Sequence, residues 1–117
     1  MSKSIININV TVEIANGIAS FSYSPDGNIQ VSKSTDIIFT LNGTYDPALS
    51  FLEPLIAYVP ESSSRDITAS LSTDKLSVIL SDTDIDKEEI AVQLLVIDTY
   101  GNTYASPDPR IINTGPR

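Results

Sequence analysis

From Ile6 onward, apolar and polar residues alternate with a period of two. Ile6, Ile8, Val10, Val12 and Ile14 fall on one side, and Asn7, Asn9, Thr11 and Glu13 on the other. That alternation predicts a strand with one buried face. Asn16-Gly17 supplies the positive-φ pair of a tight hairpin turn, and Ala19, Phe21 and Tyr23 carry the alternation onto a return strand. Ser24-Pro25-Asp26-Gly27-Asn28 ends it, because proline presets φ and glycine or asparagine accepts the left-handed region.

Short strands follow at Ile29 to Val31 and around Ile37, Phe39 and Leu41. Asn42-Gly43-Thr44-Tyr45-Asp46-Pro47 is a loop, and Phe51 to Tyr58 is a strand interrupted by Pro54. A proline removes a ladder donor, so this strand is expected at a sheet edge or at a bulge. Ile67 to Leu71 and Leu76 to Leu80 predict a hairpin around Thr73-Asp74. Ile90 to Asp98 and Thr103 to Ala105 predict another around Tyr100-Gly101-Asn102, with Asp98 opposite Thr103. Ser106-Pro107-Asp108-Pro109 interrupts the return strand, which Arg110 to Thr114 can resume. About eight short strands separated by turn signals predict an all-β fold. The expectation is an immunoglobulin-like antiparallel β-sandwich of seven or eight strands, one domain over residues 1–117.

Composition narrows the function. Acidic residues outnumber basic ones 15 to 7, for a net charge of −8. Such a surface repels phosphate backbones and anionic lipid, so neither nucleic acid nor a membrane is an expected partner. With no signal-peptide core and no run of about 18 apolar residues, a cytoplasmic location is expected. Cysteine and histidine are absent, which removes disulfides, thiolate nucleophiles, Ser-His-Asp triads and the usual zinc sites. No cofactor is implied. Chemistry is left to carboxylates, hydroxyls, lysines and backbone groups.

The run Asp82-Thr83-Asp84-Ile85-Asp86-Lys87-Glu88-Glu89 has the first spacings of an EF-hand loop. Lys87 stands where glycine is required, however, and Gln93 where a bidentate glutamate is required. A solvated connector is the better account, and no metal is assigned. Lys75 and Lys87 lie in no serine–lysine motif, and no histidine activates a serine. Tyr45, Tyr58, Tyr100 and Tyr104 could stack on sugars, but the chain lacks tryptophan.

What remains are acid–proline pairs: Asp46-Pro47, Glu53-Pro54 and Asp108-Pro109. An aspartate carboxylate is one five-membered ring from its own carbonyl carbon, and intramolecular attack reaches effective molarities of ~10⁵ M or more in the right geometry. A fold would have to add a second acid to protonate the leaving proline nitrogen, or a base to aim a water. The pairs alone are weak evidence. In this composition chance gives roughly 0.6 Asp-Pro dipeptides, and Asp-Pro also starts ordinary turns.

Asp46-Pro47 with Glu53-Pro54, the β-only pattern, and the tail Ser106-Pro107-Asp108-Pro109-Arg110-Ile111-Ile112-Asn113-Thr114 together resemble the small bacterial DP-EP family. The resemblance implies a self-cleaving, self-assembling β-sandwich that cuts an Asp-Pro bond near its C-terminus and keeps the released strand. Carried onto this chain, it implies scission at Asp108-Pro109, with residues 109–117 retained. Asp46 and Glu53 are then supporting carboxylates, and Asp46-Pro47 is the second choice of bond. A lysine–aspartate crosslink is not expected, because on the predicted pairing Asp108 falls near Gln93, six residues or roughly 20 Å from Lys87. The alternative is a non-enzymatic structural module that assembles with copies of itself.

Overall fold

The computed structural model describes residues 4–24, 29–31, 33–43, 45, 48–59, 67–82, 87–106 and 110–114. Its first element, β1 (Ser4–Ala15), buries Ile8, Val10 and Val12 and exposes Asn7, Asn9 and Glu13, as the alternation requires. Asn16 (φ 54°) and Gly17 (φ 77°) both occupy the left-handed region. They close a two-residue turn into the antiparallel strand β2 (Ile18–Ser24).

Eight more strands follow: β3 (Ile29–Val31), β4 (Thr35–Leu41), β5 (Leu49–Val59), β6 (Ile67–Leu71), β7 (Ser77–Asp82), β8 (Lys87–Asp98), β9 (Thr103–Ala105) and β10 (Arg110–Thr114). They form two sheets. One has the order β2-β1-β4-β7-β6, and the other β3-β10-β8-β5, with β9 also paired to β8. The inner faces enclose one core, in which Val10, Ile37, Phe39 and Leu80 meet Phe51, Ile90, Leu94 and Ile111. Burying each of these side chains contributes roughly 1.5–3 kcal/mol.

The all-β fold expected from the pattern is present, with ten strands where seven or eight were counted. The sheets are also mixed, since β1 runs parallel to β4 and β10 parallel to β3. Turn signals fix neighbours joined by short links. These parallel pairs join segments distant in sequence, and no local signal encodes them. The strand β7 reaches Asp82 and β8 begins at Lys87. Asp82 is therefore a buried strand residue, 1% exposed, and not part of a solvated acidic connector.

The β8–β9 hairpin differs by one residue from the sequence expectation. Thr103 pairs with Ile97, while the Asp98 N–H donates to the Asn102 carbonyl at 3.0 Å. The Asp98 carboxylate holds this turn. Its Oδ1 accepts the Tyr100 and Asn102 backbone N–H groups, both at 2.9 Å, and its Oδ2 accepts Asn102 Nδ2 at 3.1 Å.

Candidate functional site

The strand β8 lies between the segments that carry two of the three acid–proline pairs. On one side it pairs with β5, where the register slips: Leu52 opposes Leu95, but Leu55 opposes Gln93. Glu53 and Pro54 together thus face Leu94 alone. The extra residue reverses the facing of β5. Leu49 and Phe51 point into the core before the bulge, whereas Glu53 and Leu55 are exposed. Without the slip Glu53 would follow Phe51 inward, so the bulge keeps a carboxylate out of the core. Pro54 fits both sequence expectations, because β5 is an edge strand and bulged.

On the other side of β8 lie β9 and β10. Ladder pairing runs from Ile97↔Thr103 to Leu95↔Ala105 and resumes at Ala91↔Arg110. Between them, Ser106 is fully buried. Its N–H donates to the Leu94 carbonyl at 2.9 Å, and the Leu94 N–H donates to Ser106 Oγ at 2.9 Å. Arg110 on Ala91 is one residue out of register with Ser106 on Leu94. The strand β10 is interior, antiparallel to β8 and parallel to β3, with Ile111 at 0% exposure.

Asp108, Pro109 and Asp46 lie outside the described residues, and Glu53 is exposed on β5. The described flanks show what the fold brings together. The Glu53-Pro54 bulge and Ser106 both face Leu94 of β8, two strand spacings apart, about 10 Å. The flanks of Asp46 sit elsewhere. Tyr45 is tied to the first sheet, its hydroxyl accepting the Val12 N–H at 3.1 Å and donating to the Asn42 carbonyl. Leu49 pairs with Asp98, so it stands four residues along β8 and two strands across from Ser106, roughly 17 Å. Lys87 pairs with Thr114, four residues or about 13 Å beyond Ala91.

A second feature lies at the Asp98 end. A cleft of about 380 Å³ is lined by Leu49, Leu76, Ile97, Asp74 and Asp98 among others. Burial raises the Asp98 pKa, but hydrogen bonds from Asn102, Tyr100 and Tyr104 outweigh it and hold the carboxyl below its ordinary value. Asp74 is lowered by the Ser72 hydroxyl at 2.6 Å and then by the Leu76 N–H at 3.0 Å. Both carboxylates are occupied in closing their own hairpins. Sequence reasoning gave neither a role, although Asp followed by Gly-Asn across a turn is a recognisable side-chain-to-backbone signal. The buried Ser106 was also missed, since a serine before a proline reads as loop.

The described residues define an all-β sandwich in which β8 runs between a bulged β5 on one side and β9 and β10 on the other. The chain belongs to the DP-EP family, whose pattern it matches over residues 5–115. A search of curated proteins found no match.

Proposed function

We propose that the protein is a self-cleaving β-sandwich that hydrolyses its own Asp108-Pro109 bond and retains residues 109–117 as a docked strand. The observation that carries this is how β10, the strand that follows this bond, is held. It pairs with β8 on one side and β3 on the other and is anchored by the fully buried Ile111. A segment released by the cut has every reason to stay.

In the proposed reaction the Asp108 carboxylate attacks its own carbonyl carbon, forming a five-membered cyclic anhydride. The bond to the Pro109 nitrogen breaks as that nitrogen takes a proton. Water then opens the anhydride, leaving Asp108 with two carboxyl groups. Net, one water is consumed per bond cut. Glu53 is the better placed supporting carboxylate, because its bulge stands level with Ser106 on β8, whereas Leu49, the described flank of Asp46, lies four residues along. Mass spectrometry of protein aged at mildly acidic pH should find fragments 1–108 and 109–117 that co-elute under native conditions. Asp108→Ala or Pro109→Ala should keep the chain whole. Wild-type protein that remains at full mass for weeks refutes the proposal.

The second reading is assembly with copies of itself, favoured by β2. This edge strand has no charge and no proline, and Ile18 at its start is 71% exposed. Edges of that kind pair readily with another strand. Sedimentation across a concentration series tests it, with Ile18→Lys expected to shift the distribution toward monomer.

A further inference from the structure

We infer that β2 pairs antiparallel with the β2 strand of a second copy, across a two-fold axis at Ser20, so that assembly stops at a dimer. The inference rests on the self-assembly reading above and adds to it a register and a stoichiometry. The direction of the β2 backbone follows from its neighbour β1. Val10 and Val12 turn their main chain away from β2: the Val10 carbonyl accepts the Asn42 N–H at 2.7 Å, and the Val12 N–H donates to the Tyr45 hydroxyl at 3.1 Å. Backbone groups alternate sides along a strand, so Thr11 and Glu13 bond to their partners Ser22 and Ser20. The residues on either side of Ser20, Ala19 and Phe21, therefore turn their N–H and C=O groups to the open edge.

The other sheet edges are shorter or blunted. The strand β5 is bulged at Pro54, and its Phe51 N–H already donates to the Lys75 carbonyl at 2.7 Å. At the remaining edges, β3 has three residues and β6 five, against seven in β2. Each copy carries a net charge of −8, and two such molecules meet at least electrostatic cost along a strand that bears no charge. Glu13 stands opposite Ser20, three strand spacings or about 14 Å from Glu13 of the second copy, beyond the screening length of about 10 Å at 0.1 M salt.

The register follows from which residues offer their backbone. With the axis at Ser20, Ala19 pairs with Phe21 of the second copy and Phe21 with its Ala19, each pair exchanging both backbone hydrogen bonds. On the inner face a small side chain then meets a large one twice. On the outer face serine meets serine at the axis, where the hydroxyls can bond each other. An axis at Phe21 would oppose two phenylalanines and draw on the backbone of Tyr23, which already holds a further interaction in its own copy. One patch serves both copies, so the contact closes on itself and leaves no β2 edge to propagate. Seven residues of strand span about 24 Å, and with the molecule's smallest dimension of 22 Å this gives a footprint of about 500 Å² per copy. That area is at the lower limit for a specific interface, so the dimer forms at high concentration and dissociates on dilution.

The chain has no cysteine, so single cysteines at the exposed positions Ser20 and Ser22 read the register directly. At the axis, a residue faces its own counterpart at a separation a disulfide spans. Residue 22 is offset from its counterpart by four residues, about 13 Å, which a disulfide cannot span. Wild type is followed by sedimentation across a concentration series, and full-length Ser20→Cys and Ser22→Cys by non-reducing denaturing gel under mild oxidation at high concentration. Wild type should pass from monomer to dimer and no further, and Ser20→Cys should form covalent dimer at least about tenfold faster than Ser22→Cys. Species larger than a dimer, or Ser22→Cys crosslinking as fast as Ser20→Cys, overturn this inference and leave self-assembly standing. Wild type that stays monomeric at every concentration removes the assembly reading and this inference with it.

Discussion

Each flank of β8 shifts register by one residue, and the two do so in different settings. On β5 the extra residue is absorbed at a sheet edge, where the outer side of the strand has little pairing to lose. The strand goes on past Pro54 with the same neighbour, and Glu53 simply turns outward. On the other flank β10 lies inside the sheet, between β8 and β3. There the register shifts by one residue between Ser106 and Arg110, and the buried Ser106 hydroxyl accepts the Leu94 N–H. A proline at an edge shapes a strand. The interior strand on the other flank is held by ladders on both of its sides.

The sharpest way to break that contrast is at the acids themselves. Asp108→Ala should abolish fragment formation, whereas no fragment should ever end at Glu53. A glutamate carboxylate needs a six-membered ring to reach its own carbonyl, and the Glu53-Pro54 bond is embedded in a strand paired on either side of the bulge. Fragment masses from one aged sample decide both. A terminus at Glu53 would show that the Glu53-Pro54 and Asp108-Pro109 bonds are chemically equivalent.

Next in size is the anchoring of the two flanks. Ile111→Ala removes a fully buried side chain from β10 and should destabilise the protein by about 2–5 kcal/mol in urea titration. Leu55→Ala on β5, where the side chain is 57% exposed, should cost within about 0.5 kcal/mol. Were the two costs alike, β10 would be no better held than an edge strand, and a severed C-terminal segment would have little reason to remain.

Much of this contrast is legible in the residues, and some is not. Alternation gives β1, β4 and β8 because each has one face in the core, and side-chain period two is visible locally. Pro54 gives the bulge because proline excludes regular pairing. The parallel pairing of β10 with β3 is not legible, since residues far apart in the chain meet there through the fold alone. Nor is the burial of Asp82 and Asp98, because a carboxylate is read as solvated until a partner is known. At Ser106 the decisive fact is which oxygen accepts a hydrogen bond, and residue type does not reveal that.

Asp98 bears on how the return strand starts in register. Its folded pKa lies below the ordinary value of 3.8, so the folded state favours the charged form. Its contribution to stability is then fully present above about pH 3.8 and is lost as pH falls through the lowered folded value. Asp98→Asn should flatten the acid limb of the stability–pH curve below pH 4, measured by thermal unfolding across a pH series. An unchanged acid limb would mean that the turn is held by its backbone bonds alone.

The smallest effect tests the edge. Pro54→Ala restores a backbone donor to β5 at a site where the extra residue already removes it from regular pairing. Two outcomes compete, since alanine frees the unfolded chain and lowers stability, while a new N–H gains little at an edge. Their sum should lie within about 1 kcal/mol, with scission at Asp108 unaffected. The informative result is kinetic. If Pro54→Ala changes the scission rate by more than a few-fold, the two flanks are coupled through β8. The β5 bulge would then act on the proposed scission through the strand between them. If the rate holds, the bulge and the scission are independent.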